Sequence, residues 1–479
     1  MRKSIRYLSL CLAICMIFGS TTGCKKNPKD TDSDYSSDIS SDITNVDGDN
    51  NQSDKDSASE SDKDSASGSD KDSASESDNT SGNSSTPGNN GTTNKVDASK
   101  YGGTTVRYAT WKDPDKNEDG EVIDKFEKKY GINVQIDFVA QGEYAQKIIG
   151  WIAADKAPDV FIETEEWPAT LGIADSIDAM KIDTTDPIWD QATFKNTTVN
   201  GKTYGLNTVG CVWSEADCVF YNKKLMQDNN ITTPKEYYEA GNWNFATLKK
   251  CLQDCKAAGF KGGYIYPDAL AASLGAGWVK FENGKMVNTS TNSMFLKVYQ
   301  YVAELNKEGL LVDGTSYFLN GDVGICVENA FGLKKTGQFA AMNQDYLDYT
   351  YLPDYDANTK AQPAGITRFY GVCKKAKNPV AAGIFLRYYL DASNYDLNKT
   401  FLSTDAATFF FKLTGSATNS KNSYYMNGIS HIMGNSAVFT YRALAYEDPS
   451  QVTSRIKAKQ NELNGYIKTA NEYITKYTK

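Results

Sequence analysis

After the first hundred residues, short β-rich segments alternate with amphipathic helical segments, and this alternation restricts the fold more than any other feature of the sequence. Residues 104–110, 132–138 and 159–162 have the composition or the two-residue alternation of strands. Residues 119–130 and 143–155, which lie between them, carry apolar side chains at helical spacing. Alternating strands and helices favour an α/β fold with mostly parallel sheets flanked by helices.

The preceding part of the sequence lacks the apolar residues of a folded core. An octapeptide of Ser, Asp, Lys, Ala and Glu or Gly occurs three times in a row, at 53–60, 61–68 and 69–76. This repeat has no hydrophobic face, so it cannot stack into a solenoid, and its polar composition is typical of a disordered segment. We therefore expect residues 24–100 to form a flexible tether and residues 101–479 to form the folded part.

The N-terminus has the parts of an export signal. Three basic residues lie among the first six, an apolar run follows at 7–18, and small residues lead from there to Cys24. The apolar run is too short to span a bilayer as a mature helix. We expect residues 1–23 to be removed after export.

The small residues before Cys24 resemble the lipobox of bacterial lipoproteins, in which the cysteine is acylated and becomes the new N-terminus. Thr21 departs from that motif, which usually has Leu at this position. The resemblance implies a lipid anchor on Cys24 at the extracellular face of the cytoplasmic membrane, and the tether suggests a Gram-positive source. Secretion without lipidation is the alternative.

Six further cysteines lie in the folded part. They are Cys211, Cys218, Cys251, Cys255, Cys326 and Cys373. Their spacing does not determine a disulfide pairing. We expect buried thiols, because a free cysteine behaves as a small apolar residue.

Net charge and missing motifs disfavour several classes of function. A net charge of −9 argues against nucleic acid as a partner. The single histidine, His431, excludes zinc sites built from several histidines. The chain has neither H-E-x-x-H nor G-x-S-x-G, and GLKKTG at 332–337 is followed by Gln338 instead of the lysine of a phosphate loop. We therefore expect a protein that is not an enzyme.

Several segments of the folded part carry a family resemblance. They are VRYATW (106–111), APDVF (157–161), GKTYGLNTVGCVWSEADCVFYNKKLM (201–226), YFLNGDVGICVEN (317–329) and GITRFYGVCKKAKNPVAAGIFLRYYLD (365–391). In this order they resemble the extracellular solute-binding proteins of the family that includes maltose-binding protein. The chain departs from the family pattern at Asn207, where Pro is frequent, and at Cys326, where Met is common.

The resemblance implies a two-lobe fold of the periplasmic-binding-protein type II, in which hinge strands join the lobes and closure encloses a ligand. We expect the first lobe to comprise residues 101–212 and 355–395. The second lobe is expected to comprise residues 213–354 and 396–479, with the chain crossing between lobes near these limits.

The resemblance also implies a function. The protein is expected to be the substrate-binding lipoprotein of an ABC importer, which captures a mono- or oligosaccharide and delivers it to membrane permease subunits. A monomer without a cofactor is expected. Two alternatives remain open: the same fold with a peptide, polyamine or organic anion as solute, and a surface glycoside hydrolase, because the sequence does not exclude paired catalytic carboxylates.

Candidate ligand-binding residues follow from the chemistry that a sugar requires. Aromatic faces cover the apolar side of a pyranose ring, and charged or amide groups bind its hydroxyls. In open α/β sheets such groups lie at the carboxyl ends of strands. With the crossing segments that the family resemblance implies, this selects Trp111, Glu165, Glu166, Trp167, Asn207, Trp213, Trp278, Asn329, Arg368 and Tyr370. For Trp111 the alternative is a residue of the core or the rim. For Glu165, Glu166 and Trp167 it is a solvated turn with a packing tryptophan.

One short string has the spacing of a calcium loop. Asp115, Asn117 and Asp119 precede Gly120 as in the first half of such a loop, but the twelfth position is Phe126 instead of an acid. Calcium is therefore a weak expectation, and a polar turn before a helix is the favoured interpretation.

Overall fold

The computed structural model describes residues 96–112, 119–140, 143–162, 169–365, 368–419 and 435–478. The predicted export signal, the acylated Cys24 and most of the tether lie outside these ranges and stay predictions. All of the described residues belong to one structural unit. None of the helices in the described ranges has the length and apolar character needed to cross a membrane.

The strands of the described part are β1 (Thr105–Thr110), β2 (Asn133–Phe138), β3 (Val160–Ile162), β4 (Ala174–Asp175), β5 (Thr198–Val199), β6 (Lys202–Thr203), β7 (Asp217–Asn222), β8 (Lys261–Tyr264), β9 (Val279–Glu282), β10 (Lys285–Asn288), β11 (Val323–Asn329), β12 (Leu347–Thr350) and β13 (Tyr370–Cys373).

The α-helices of the described part are α1 (Asp119–Tyr130), α2 (Tyr144–Ala153), α3 (Gln191–Thr197), α4 (Lys223–Asp228), α5 (Pro234–Glu239), α6 (Phe245–Ala257), α7 (Pro267–Ser273), α8 (Ser293–Lys307), α9 (Ser316–Leu319), α10 (Pro379–Tyr389), α11 (Leu397–Thr400), α12 (Thr404–Asn419), α13 (Asn435–Ala443), α14 (Pro449–Ala458) and α15 (Gln460–Tyr477). Single 3₁₀ turns occur at Ala98–Tyr101, Ala169–Gly172, Ile177–Met180, Ala330–Leu333, Ala392–Asn394 and Leu444–Tyr446.

The predicted alternation at the start of the folded part is confirmed by β1, α1, β2, α2 and β3. Gly131 ends α1 in the left-handed region at φ 65°, and its N–H donates to the carbonyl of Glu127 at 2.8 Å. Phe138 differs from the expected alternation, because it lies at the end of the edge strand β2 and is 53% exposed. Local sequence therefore determines this region well.

The strands that surround the predicted site form two larger sheets. The first has the order β2-β1-β3-β13-β4, and the second has the order β12-β7-β11-β8. In the first sheet β1 is parallel to β2 and β3, and in the second β11 is parallel to β8. Two small hairpins, β5–β6 and β9–β10, lie outside these sheets.

Both sheets are mixed, which corrects the expectation of mostly parallel sheets. β13 is antiparallel to both of its neighbours in the first sheet, and β7 is antiparallel to both of its neighbours in the second. Each of these strands enters its sheet directly from a segment that crosses between the sheets. Neither is therefore the second strand of a β-α-β unit, which would make it parallel. The α/β class itself is confirmed.

Within the described ranges, three segments of the chain cross between the two sheets. The first crossing segment (206–217) leads from the first sheet into β7, and the return segment (364–370) leads back into β13. The third crossing segment (390–402) follows α10, which packs on the first sheet, and ends beside the turn after β11. Leu206 and Tyr370 exchange backbone hydrogen bonds of 2.9 and 2.8 Å, so the first two segments lie side by side.

The chain between residues 354 and 362 contacts elements next to the second sheet. The amide of Phe245 donates to the carbonyl of Asp354 at 2.9 Å, and Gln362 donates to Ser273 at 2.8 Å, so the chain stays beside the helices of the second sheet. Only at Ala364, whose carbonyl accepts from Asp217, does it join the crossing segments. The domain limits given above, 355 among them, stay predictions.

The last helix, α15, contacts elements next to both sheets. Asn471 pairs through its amide with the backbone N–H and C=O of Met286 in β10, at 2.8 and 2.9 Å. At the other end of α15, the Tyr477 ring packs on Gly172, and the amide of Asn200 donates to the Thr478 hydroxyl at 2.8 Å. This helix therefore ties the β9–β10 hairpin to the side of the first sheet.

The six cysteines of the folded part are buried and carry free thiols, as the sequence analysis expected. Burial raises the pKa of the Cys251 and Cys255 thiols, in the case of Cys255 to about 12. A thiol with so high a pKa is scarcely ionised at neutral pH and reacts slowly.

Candidate functional site

Six of the predicted site residues lie where strand ends of the two sheets face the crossing segments: Trp111, Asn207, Trp213, Asn329, Arg368 and Tyr370. The carboxyl ends of β1 and β3 lie on the same side of the first sheet, and those of β8 and β11 lie on the same side of the second, because each pair is parallel. The antiparallel strands β13 and β7 begin on these same sides. Side chains from strand ends and from crossing segments therefore meet there.

Glu215 is the centre of the described polar contacts. One of its carboxylate oxygens accepts a hydrogen bond from the Arg368 guanidinium, and the other lies 3.5 Å from the side-chain amide of Asn329. The Arg368 Cζ atom is 5.0 Å from the centroid of the Trp111 ring. Three predicted residues are thus brought together around Glu215, which the sequence analysis did not select: one directly after β1, one at the end of β11 and one on the return segment.

The Trp111 indole is an aromatic surface at this position. The residue is partly buried, and its indole N–H, which is buried, has no hydrogen-bond partner among the described residues. The guanidinium of Arg368 lies over the ring, where a cation is attracted by the aromatic quadrupole. An unpaired donor beside a fixed cation is an arrangement that suits a polar ligand.

Asn207 holds the crossing segments together and is 1% exposed. Its amide nitrogen donates to the Arg368 carbonyl at 2.9 Å, and its amide oxygen accepts from the Thr208 N–H at 2.8 Å. Its hydrogen-bonding groups are therefore used within the protein. This geometry favours a role in positioning Arg368 over direct contact with a ligand.

Trp213 and Tyr370 lie deeper in the same cluster. Trp213 is 5% exposed, and its indole N–H donates to the Tyr395 hydroxyl at 3.1 Å. Tyr370 is fully buried, packs against the rings of Tyr108 and Tyr389, and its hydroxyl accepts from the Lys112 ammonium at 3.3 Å. Both side chains are therefore buried and are not exposed to solvent at the site.

Trp278 lies away from this cluster, in an aromatic core beside α8 and α13. It is 1% exposed, and its ring meets those of Phe295, Tyr299 and Tyr441 edge to face at 4.8, 5.4 and 5.1 Å. Its indole N–H donates to the Tyr299 hydroxyl at 2.7 Å. This burial disfavours the predicted stacking role.

The remaining candidates lie outside the described residues. They are Glu165, Glu166 and Trp167, together with Asp115 and Asn117 of the calcium-like string. Asp119 begins α1, but its side chain is not described. Among the described residues no group of three or more His, Cys, Asp or Glu side chains has the arrangement of a metal site. Ligand binding at the first three and calcium at the others stay predictions.

Glu328, which the sequence analysis missed, is half-buried at the end of β11. Burial raises the pKa of its carboxyl, and the nearby Glu215 carboxylate raises it further. The backbone N–H of Asn329 donates to Glu328 at 2.9 Å and opposes these effects. The strand-end rule that selected Asn329 applies equally to its neighbour, so this residue was within reach of sequence reasoning.

Arg442 and Tyr266 were also missed. Tyr266 follows β8, and the Arg442 guanidinium lies over its ring at 4.9 Å while pairing with the buried Asp268 at 2.7 Å. Arg442 belongs to α13, far along the chain from β8. No local pattern in the sequence marks such a long-range pair.

The crossing segments approach so closely at Gly365 that a side chain there has no room. A Cβ atom would lie 2.3 Å from the carbonyl oxygen of Glu215 and 2.6 Å from the Cα atom of Ala216. We expect Gly365→Ala to lower the free energy of unfolding by about 1–3 kcal/mol, because backbone atoms must move apart. Urea unfolding measures this loss.

Gly465 provides a matched control for the same substitution. It lies within α15 with nothing within 4 Å of an added Cβ. Gly465→Ala should therefore raise the free energy of unfolding by up to about 1 kcal/mol, through helix propensity. Equal effects of the two substitutions would contradict the close approach at Gly365.

Two mixed sheets, three crossing segments and a polar and aromatic cluster where the segments meet the sheet edges define a two-lobe solute-binding protein. The family model described as bacterial extracellular solute-binding protein matches residues 102–396, and the chain belongs to this family. No curated protein sequence gives a significant match.

Solved structures of solute-binding proteins share this fold. The GacH receptor of Streptomyces glaucescens, solved without ligand and with acarbose, aligns with a TM-score of 0.57 at 16% identity over 75% of this chain and 98% of its own. The galacto-N-biose-/lacto-N-biose I-binding protein of Bifidobacterium longum aligns with a TM-score of 0.56 at 17% identity, over 76% and 98%. A Staphylococcus aureus solute-binding protein in complex with maltose gives 0.56 at 16%, over 76% and 98%.

Proposed function

We propose that this protein is the substrate-binding subunit of a carbohydrate ABC importer. It captures a mono- or oligosaccharide between its two lobes and releases it unaltered to permease subunits. The observation that supports the proposal is the cluster of Trp111, Arg368, Glu215 and Asn329. In this cluster an aromatic face lies beside groups that donate and accept hydrogen bonds. This pairing of an aromatic face with fixed polar groups is what a pyranose requires.

The similar structures support a sugar over other solutes. The three aligned proteins were solved in complex with acarbose, lacto-N-biose and maltose, all of them saccharides. We further propose that the protein acts as a monomer that Cys24 anchors to the extracellular face of the membrane, in keeping with its extracellular family. In this arrangement the tether lets the folded part reach the permease.

A panel of saccharides, measured by thermal unfolding, tests the proposal. A ligand at a hundred times its dissociation constant stabilises the folded protein by about 2.7 kcal/mol, which raises the melting temperature measurably. We expect at least one of maltose, lacto-N-biose and xylo-oligosaccharides to produce this shift. Chromatography of the recovered sugar should show it unchanged.

Two variants separate the cluster from general surface effects. Trp111→Ala should abolish the shift, while Tyr473→Ala, which removes an exposed aromatic ring on α15, should leave it intact. A panel without any stabilising saccharide would contradict the carbohydrate assignment. A bound solute whose affinity falls steeply with salt would indicate a charged compound instead, because screening weakens charge–charge attraction more than sugar binding.

A further inference from the structure

The indole of Trp213 contacts two lysine ammonium groups. The Lys112 Nζ atom is 3.3 Å from the ring centroid, and the Lys334 Nζ atom is 3.7 Å from it. Lys334 is fully buried, whereas Lys112 is partly exposed. Both distances are well inside the range over which a cation is attracted by an aromatic face.

Both ammonium groups lie over the indole ring and not in its plane, because at these distances a nitrogen in the ring plane would overlap the ring atoms. The aromatic quadrupole attracts each of the two cations. This attraction opposes the repulsion between their like charges.

Each partner of this arrangement comes from a different part of the fold. Lys112 follows β1 of the first sheet, and Lys334 follows β11 of the second. Trp213 itself lies on the first crossing segment, and its N–H donates to Tyr395 on the third. The indole thus contacts a lysine that follows a strand of each sheet, and it links two of the crossing segments.

We propose that Lys112, Trp213 and Lys334 form a cation–π clamp that sets the equilibrium between hinge conformations of the ligand-free protein. A hinge rotation that separates the two strand ends must remove at least one ammonium group from the indole. Lys334 is buried with Trp213 beside Phe331 and Phe401, so Lys112 is the partner that leaves. This role does not depend on the identity of the solute.

The strength of such contacts gives the size of the expected effect. A cation–π contact changes a two-state population by between about twofold, when exposed, and about thirtyfold, when desolvated. Lys112 is partly buried, so its removal should fall within this range. The change is measurable as a shift in the distribution of distances between the two sheets.

The test places spin labels on cysteines introduced at Asn133, in β2, and Glu239, in α5, both of them exposed positions. The mature chain with Cys24→Ser is used, because its six other cysteines are buried and do not compete for the label. Electron paramagnetic resonance then gives the distance distribution without ligand. Lys112→Met should change the ratio of its populations at least twofold, and Lys112→Arg, which keeps the cation, should retain the original ratio.

A matched control removes a lysine–aromatic contact on one side of the hinge only. The Lys261 Nζ atom lies 4.0 Å above the Tyr317 ring, and both residues belong to the part of the chain around the second sheet. Lys261→Met should leave the distance distribution unchanged. An unchanged distribution in Lys112→Met, or an equal change in Lys261→Met, would overturn the proposal.

Two further variants identify the contact that matters for Lys112. Tyr370→Phe removes the hydroxyl that accepts from Lys112 but leaves the indole in place. Under the proposal, Tyr370→Phe changes the distance distribution little. In a protein that already carries Trp213→Leu, adding Lys112→Met does not change the distribution further. Two results would contradict the proposed clamp. One is that Tyr370→Phe gives the same distance distribution as Lys112→Met. The other is that the free-energy effects of Lys112→Met and Trp213→Leu on the population ratio are additive. None of these measurements needs a ligand. They therefore test the clamp even if no saccharide in the panel stabilises the protein.

Discussion

Trp278→Ala is expected to lower the free energy of unfolding by about 3–5 kcal/mol, because it removes one of the largest fully buried side chains. The three rings around Trp278 come from α8 and α13, and they cannot all move inward to fill the space. The Tyr299 hydroxyl also loses the donor that it accepts from. Urea unfolding followed by circular dichroism measures the loss.

A conservative variant separates packing from ligand contact at this position. Trp278→Phe retains an aromatic ring, so it should lose less stability than the alanine variant and bind ligand as the wild type does. Tyr473→Ala, at an exposed ring, should change stability little. A stable Trp278→Ala protein that has lost only ligand affinity would show that the indole faces the ligand after all.

Asp268→Ala is expected to lower the free energy of unfolding by a similar amount, about 3–5 kcal/mol, because it leaves the buried Arg442 guanidinium without its carboxylate partner. The Asp268 side chain is 4% exposed, and the paired Arg442 side chain is 15% exposed, with 2.7 Å between Nε and Oδ2. Asp268 also accepts a hydrogen bond from the Tyr299 hydroxyl. The substitution therefore removes the ion pair between α13 and α7.

An exposed ion pair serves as the control. Lys224 and Asp228 lie four residues apart on α4, with side chains 47% and 58% exposed. Asp228→Ala should cost no more than about 0.5 kcal/mol, since solvent screens such pairs. Comparable losses for Asp228→Ala and Asp268→Ala would contradict the burial of the second pair.

The two large effects should not add. Trp278 donates to the Tyr299 hydroxyl, and that hydroxyl donates to Asp268, so one tyrosine is held from both sides. Once either partner is lost, the hydroxyl is free to reorient, and the second substitution removes less. The double variant should therefore lose less free energy than the two single variants together.

Local sequence rules predicted the first part of the fold well and the placement of Trp278 poorly. The helix at 119–130 is delimited by features within a few residues, such as Gly131, and its bounds match the structure. Trp278 follows a glycine-rich stretch that suggests a surface loop. The rings that bury it come from residues 295–299 and from Tyr441, and no short pattern links these to position 278.

The candidate site was predicted in part for the same reason. The strand-end rule found Trp111 and Asn329, and the family resemblance added Arg368, which the structure brings to Trp111 and to Glu215. Glu215 was missed because it lies between strands, on a crossing segment whose neighbours are set by the return segment. Strand direction in the mixed sheets was missed likewise, since β13 and β7 enter from crossing segments.

The position of β13 has a consequence for how the chain acquires its structure. β13 lies between β3 and β4, although all of the second sheet precedes it in the sequence. A polypeptide that emerges N-terminus first therefore carries β3 with one edge unpaired until residues 370–373 have appeared. Pairings over such sequence separations form slowly. The first sheet should be among the last parts to complete, and the emerging chain must keep that open edge from pairing with other molecules in the meantime.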